Sequence, residues 1–327
     1  LLNFGVLPIP PEAIVDGAII DAETIIEAIK HLVKSEQIKT KDVVTAVSGT
    51  SVIVKKINLP PMSEADLQAS ISWEAEQYIP FNIEDVHLDF QILKSPHEEK
   101  GDESKELMEV LLVAAKKEKI EDYVNLITGA GLNPLIVDVD VFAIENSYEI
   151  NHGLPAEQSL ALIDIGASVM NINILKDGVT TFTQDTSIGG QLYTEALQKR
   201  FNLSFEQAEA LKMGVEVREI SPSEILPILT SVTEEIAMKI QQSFEFYRTA
   251  SAAEREIDKI ILSGGCAKLQ GIDQYLSDRL SIPVEVADPF ERILFDEKQF
   301  DPEYLMELAP VAAIGVGLAS RSLGDNA

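Results

Sequence analysis

Two glycine turns, each closing an apolar run and about a hundred residues apart, constrain this chain more than any other feature. The first is Leu160-Ala161-Leu162-Ile163-Asp164-Ile165-Gly166-Ala167-Ser168 and the second is Ile260-Ile261-Leu262-Ser263-Gly264-Gly265-Cys266-Ala267. A short uninterrupted apolar run of this kind fits a buried strand. A strand ending in Asp-x-Gly brings a carboxylate and a bare backbone turn to one edge. Amides in such a turn hold phosphate oxygens, and the carboxylate holds the water shell of Mg²⁺. Ser-Gly-Gly lets backbone approach a flat base or ribose closely. Either turn alone is more often a plain tight turn. Both in this order, with the Gly-rich apolar segment 309–319 after them, point to a nucleotide held between two halves of the chain.

At 327 residues the chain has room for two domains with proper cores. Its net charge of −28, from 26 Lys+Arg against 54 Asp+Glu, argues against nucleic acid and against direct binding to anionic lipid. No apolar run is long enough to span a bilayer. The chain opens Leu-Leu-Asn, without Met or a signal peptide, and reads as a fragment. The single cysteine, Cys266, excludes an internal disulfide and fits a reducing compartment. It reads as inert packing in its apolar turn. The four histidines are scattered without metal-ligand spacing.

Apolar periodicity predicts a strand and then a helix over 22–35, followed by strands over 43–47 and 52–57 joined through Ser48-Gly49-Thr50. After Pro60-Pro61, Ser63-x-x-Asp66 starts a helix that Pro80 stops. Strands at 86–93 and 109–115 flank the polar loop 95–106, and a helix covers 120–129. Loop-closure entropy changes slowly with length, so that loop should tolerate shortening. A strand at 135–139 carries Asp138 and precedes Asp140 and a helix. Three antiparallel strands (161–165, 170–175, 179–183) turn at Gly166 and Asp177-Gly178. The remainder reads as helix 205–213, opened by the capping box Ser204-x-x-Gln207, a long helix 223–250, strand 257–262, helix 271–280, strand 284–286 and helix 309–318.

In order and spacing, Asp164-Ile165-Gly166, segment 137–146, Leu262–Gly265 and segment 312–317 resemble the actin, heat-shock chaperone and sugar-kinase superfamily. Within it the wording resembles the PilM family of type IV pilus assembly proteins. The carrying phrases are Pro8-Ile9-Pro10-Pro11-Glu12-Ala13-Ile14-Val15-Asp16-Gly17, Trp73-Glu74-Ala75-Glu76-Gln77-Tyr78-Ile79-Pro80-Phe81 and Val137-Asp138-Val139-Asp140. The resemblance covers essentially the whole chain and implies an α/β, actin-like two-domain fold with ribonuclease-H-like halves and a small α+β insert in the first domain. The implied division is 1–60 for the first domain, 61–133 for the insert, 134–158 for the rest of the first domain and the crossover, 159–309 for the second domain (helical part about 201–256), and 310–327 for the closing helix of the first domain. The superfamily's first phosphate turn, another Asp-x-Gly near the N-terminus, is not in this sequence, which weakens the nucleotide expectation.

The resemblance also implies a site. Gly166, Ala167 and Ser168 would donate amides to phosphates, and Asp164 would hold Mg²⁺ through water. Asp138 or Asp140 would face the γ-phosphate, the two remaining undecided. Gly264, Gly265 and Lys268 would line the adenosine, Glu209 and Lys212 the ribose and purine, and Gly189 and Gly190 would open a helix toward the nucleotide. Gly315 and Gly317 would let the closing helix lie close against its partner. A solvated i,i+3 pair is the plainer account of Glu209 and Lys212.

The implied function is a cytoplasmic ATP- and Mg²⁺-binding scaffold with at most slow hydrolysis. It would dock the N-terminal tail of a PilN-like inner-membrane protein in a groove beside the insert, with Trp73, Tyr78, Phe81 and Phe90 as candidate anchors. Self-assembly stays open. An FtsA-like division scaffold, a small-molecule kinase of the superfamily and a binding module with a decayed nucleotide site are the other readings.

Overall fold

The computed structural model describes residues 1–322 apart from 16, 95–106, 155, 218 and 252–255. The polar loop 95–106 therefore lies outside the described residues. Strands β1 (Ile14–Val15) and β2 (Ala18–Ile19) form a two-residue hairpin ahead of helix α1 (Ala22–Ser35), which Asp21 caps through the Thr24 amide. Strand β3 (Asp42–Val47) runs parallel to β7 (Asn133–Val139). Between them in sequence lie β4 (Val52–Leu59), α2 (Glu64–Ala75), β5 (Val86–Lys94), β6 (Met108–Lys116) and α3 (Lys117–Gly129). The three antiparallel strands order as β4-β6-β5, so β4 is paired along its whole length with a strand from beyond residue 100.

Side-chain alternation decides what each face of this sheet meets. Val110, Leu112 and Ala114 of β6 turn toward α2 and bury Leu67, Ile71 and Ala75. Leu111 and Val113 turn the other way, toward the second half of the chain. Ser63 caps α2 as its motif requires, accepting from the Asp66 amide at 3.2 Å.

Helix α4 (Asp140–His152) leads into a second sheet of β8 (Ser159–Ile165), β9 (Met170–Lys176), β10 (Val179–Thr186), β11 (Lys259–Ser263) and β12 (Val284–Val286), ordered β10-β9-β8-β11-β12. All seven residues of β8 are buried, which is why its sequence is apolar without alternation. Asp177 and Gly178 both take positive φ, as the hairpin turn demands. One sheet face packs Ile163, Ile165, Ile172 and Ile174 on α7 (Pro222–Ser251) through Ile236, Ile240 and Tyr247. The other packs Leu160 and Leu162 on Ile144 of α4. Helices α5 (Gln191–Phe201) and α6 (Phe205–Lys212) precede α7; Ser204 and Gln207 form the capping box, and α8 (Ile272–Leu280) separates β11 from β12.

The last helix, α9 (Pro302–Ala319), begins earlier than its apolar segment suggests. Asp301 caps it, Pro302 takes the first helical position where its missing N–H costs nothing, and the helix continues through Pro310. Helices α4 and α9 touch at their backbones. A Cβ on Gly317 would stand 1.7 Å from the Ala143 carbonyl oxygen, whereas one on Gly315 would meet nothing within 4 Å. Gly317→Ala should therefore cost at least about 2 kcal/mol by overpacking. Gly315→Ala should be neutral or gain up to about 1 kcal/mol from helix propensity. Urea melts of the two variants check the pair, and equal effects would contradict the close crossing.

Candidate functional site

Strands β8 and β11 are parallel neighbours, and their register sets Asp164 beside Ser263. The two glycine turns, distant in sequence, thus open side by side at the carboxyl ends of adjacent strands. This is where open α/β sheets form ligand crevices. The Ser263 hydroxyl donates to Asp164 Oδ2 at 2.8 Å. Gly264 is doubly constrained: its φ is +86°, and a Cβ would fall 2.5 Å from the Ile165 carbonyl oxygen. Its amide donates to the Pro310 carbonyl in α9, which ties this turn to the closing helix. Gly265 is exposed and faces open space.

The first turn divides its polar groups. Gly166 donates to the Val169 carbonyl at 2.9 Å, while the carbonyls of Gly166 and Ala167 accept from the Gly190 and Gln191 amides at 2.9 and 2.8 Å. The start of α5 is thus docked on this turn, and those two helix-opening amides are spent within the protein. A Cβ on Gly189 would lie 2.6 Å from both carbonyl oxygens, which explains the small residue there. Among the described residues, the amides of Ala167 and Ser168 have no protein acceptor and stand free for a ligand.

Glu209 and Lys212 are a pair on α6, but not a solvated one. Lys212 Nζ is 2.6 Å from Glu209 Oε1 and 3.1 Å from Thr194 Oγ1, and its side chain is only 11% exposed. Thr194 also donates to Glu209, and Lys212 reaches the Gly190 carbonyl at 3.4 Å. The cluster pins α6 to the start of α5 beside the turns. Lys268 pairs with Glu307 of α9 at 3.1 Å. Cys266 is buried against Gly166 and Gly190, and burial pushes its thiol up to about 12, consistent with packing rather than reactivity.

The carboxylates sort into two places. Burial pushes Asp164 up to about 6, with Asp140 adding repulsion and the Ser263 bond opposing. Burial also raises Asp140 at the start of α4, where a Ser48 side-chain bond opposes and Asp185 and Asp138 repel. Asp185 of β10 accepts from Asn171 Nδ2 at 2.8 Å and from the Gly49 amide at 2.6 Å, and burial raises it too. Asp140 thus stands within electrostatic reach of Asp164 and of Asp185, and all three are held against their ordinary ionisation. Among the described residues, no three His, Cys, Asp or Glu groups come together to ligate a metal directly. Carboxylates such as Asp164 and Asp140 would hold a hydrated Mg²⁺ through its waters rather than directly.

Asp138 belongs elsewhere. Its Oδ1 accepts from the Val139 amide, and its Oδ2 lies 3.1 Å from Arg321 Nε without a well-aligned hydrogen bond. It lines a separate cavity of about 280 Å³ between β5, β6, α4 and β10. Of the four aromatic anchor candidates, only Phe90 reaches this cavity. Trp73 is 72% exposed on α2, while Tyr78 and Phe81 sit beneath Lys55 and Lys116 at 5.4 and 4.5 Å on the α2 side of the sheet.

Sequence reasoning missed Asp185, Ser48, Thr194 and Arg321. Ser48-Gly49 does carry a turn signal, but nothing in the sequence aims it at β10.

Comparison with known proteins gives this geometry a context. The chain matches the family described as "Type IV pilus assembly protein PilM" over residues 1–323. Among solved structures it is similar to the PilM-PilN type IV pilus biogenesis complex, with a TM-score of 0.85 and 29% identity, covering 97% of this chain and 90% of that one. It also resembles ethanolamine utilization protein EutJ from Carboxydothermus hydrogenoformans, with a TM-score of 0.55 and 16% identity over 94% of this chain and 77% of that one. MreB5 of Spiroplasma citri bound to ADP follows at 0.54 and 15%, over 93% and 76%. The last two likenesses concern fold alone, which is actin-like α/β. With its sequence matched from end to end of the described fold, the chain belongs to the PilM family of type IV pilus assembly proteins.

Proposed function

We propose that this protein is a cytoplasmic, ATP-binding scaffold of the pilus assembly machine, brought to the inner membrane by the short tail of a PilN-like partner. The observation that carries the nucleotide half is the side-by-side opening of the Gly166 and Gly264 turns beside the buried Asp164 and the partly buried Asp140 and Asp185. Ala167 and Ser168 would donate amides to phosphate oxygens. Asp164, with Asp140 and Asp185, would hold the water shell of Mg²⁺, whose chemistry here is to neutralise phosphate charge. Gly265 leaves room for the sugar and base. Glu209 and Lys212 would shape the purine side as one locked pair. Asp140 is better placed than Asp138 for the γ-phosphate end, because Asp138 is engaged by Arg321. Among the described residues, Asp138, Asp140 and Asp164 are the candidates for a general base, and on this reading turnover is slow or absent.

The partner half draws on the solved relative, which was determined as a PilM-PilN complex. No helix of the described residues is long and apolar enough to cross a membrane. A strongly acidic surface is repelled by anionic lipid, so recruitment falls to a protein tail. We assign the first domain to residues 1–60 and 134–158 with the closing helix 310–327, the insert to 61–133 and the second domain to 159–309, and we put the docking groove beside that insert.

Two measurements test this. Because the Asp164 carboxyl is raised, its stabilising contribution is complete below about pH 4 and is lost as pH rises through about 6. Asp164→Asn should therefore stabilise the protein at pH 7.5 in EDTA by roughly 2–3 kcal/mol, while abolishing the rise in Tm on adding Mg·ATP. Retention of the full ligand-dependent rise in the variant, or an equal rise in EDTA for the parent, overturns the nucleotide assignment. For the partner, calorimetry with the tail peptide should give a Kd on the order of micromolar and a negative heat-capacity change, since ordering an extended tail offsets part of its contact energy. Absence of binding to the folded, nucleotide-loaded protein removes the scaffold reading.

A further inference from the structure

The chain has one tryptophan, and its own fold leaves it in water. Helix α2 buries Leu67, Ile71 and Ala75 against the sheet, and Trp73, midway between Ile71 and Ala75 in sequence, comes out on the opposite side of the helix. It is 72% exposed and has no ring, cation or hydrogen-bond partner among the described residues. Ala69, one turn before it on the same side, is too small to shield the ring. Glu64, Asp66, Glu74 and Glu76 surround it in sequence, and residues 61–85 contain no Lys or Arg. A large aromatic ring raised from an acidic helix is the form of a contact anchor.

A receptacle for such a ring exists elsewhere on the same chain. A cavity of about 330 Å³ opens between the C-terminal ends of α7 and α8, at the end of β11 away from the glycine turns. Its floor is Phe244, Tyr247, Ile257, Leu280 and Ile282, which belong to the core of the second sheet or pack on it. No residue of α2 lines it, so the chain's own Trp73 does not fill it. Arg248 and Arg279 stand at its rim with Glu245 and Glu256. Arg279 is fixed: its Nε donates to both oxygens of Glu234 at 2.9 and 3.0 Å, and its Nη1 reaches Gln241 Oε1 at 3.3 Å. Arg248 is exposed and has no partner among the described residues. Glu245 accepts from Gln241 Nε2 at 3.2 Å. An acidic helix thus meets two guanidiniums and two carboxylates at this rim, whereas the chain as a whole has 26 Lys+Arg against 54 Asp+Glu. Guanidinium groups also stack on indole faces.

We propose that Trp73 of one copy inserts into this cavity of a second copy, with the acids of α2 set beside Arg248 and Arg279. Ring and cavity are different surfaces, so the contact is heterologous. Each pair keeps one free ring and one free cavity, and assembly continues to a ring of copies if the rotation closes or to an open filament if it does not. Neither the glycine turns nor the groove beside β5 takes part, so this inference is independent of the proposed function.

With a single tryptophan, the contact is read directly by fluorescence of the full chain. Dilute protein should emit as a water-exposed indole. On concentration the emission should shift to shorter wavelength, and acrylamide quenching should fall, along the same curve as the rise in mass by sedimentation. Trp73→Ala and Arg248→Glu, both at exposed positions, should each weaken association about tenfold or more with thermal melts unchanged. Mixed together, the two variants should form a dimer that grows no further, because one supplies only the cavity and the other only the ring. The emission of Arg248→Glu should then shift on adding Trp73→Ala. A monomer up to about 1 mM overturns the inference. So does association that leaves Trp73 emission unchanged, or a mixture that fails to pair or grows past the dimer. A blue shift of dilute, monomeric protein on adding the partner's tail peptide assigns Trp73 to the tail and overturns it as well.

Discussion

The parallel pairing of β8 with β11 is the constraint on which the rest depends. Its register places Asp164 against Ser263 and brings the two glycine turns to one edge. A slip of one residue would send Asp164 to the opposite sheet face, since side chains alternate with a period of two. The register is held because β8 is buried on both faces: Ile163 and Ile165 are committed to α7, and Leu160 and Leu162 to α4. The same packing that secures the core therefore fixes the mouth. A buried acid beside another is an expense to the fold, as the upward shift of Asp164, due to burial first and then to Asp140, indicates. On the proposed reading, a divalent ion removes that expense when ligand binds.

The fold was legible where the periodicity was pure. Helix α1 and strands β8 to β10 follow from their apolar patterns almost residue for residue, and the capping box at Ser204 and the Asp177-Gly178 turn carry their own chemistry. The start of α9 was obscured because the apolar segment begins at Ala309, beside Pro310, whereas the real start signal, Asp301-Pro302, lies in a polar stretch. The two turns and Asp164 were legible because they combine a strand ending with residues of special backbone freedom. Their neighbours were not. Asp185 sits in a strand of ordinary alternation, and its link to the Gly49 amide joins the two halves of the chain. Glu209 and Lys212 were visible as a helical pair, but Thr194 and the Gly190 carbonyl, which hold them, come from another helix. Arg321 could not be matched to Asp138 from sequence, because only the folding of α9 onto α4 brings them together.

Helix α4 carries the consequences of all this. Asp140 at its first residue faces the acids at the mouth of the sheet, Ala143 bears the backbone of α9 at Gly317, and Glu145, Asn146 and Glu149 line the cavity beside β5. At 1.5 Å per residue, Asp140 and Glu149 are separated by roughly 13 Å along one rigid element. The contact at Gly317 leaves no space for α4 to approach α9, so any movement of α4 that followed a change at Asp140 would have to be sliding or rotation. Such a movement would alter the cavity wall at the same time, since Glu145, Asn146 and Glu149 line it. If Mg·nucleotide and a ligand of the cavity beside β5 each favoured one position of α4, each would change the other's affinity by the same factor, because coupling between two sites is reciprocal. On the proposed reading, the acids at the first residue of α4 would meet a metal ion that arrives on a nucleotide.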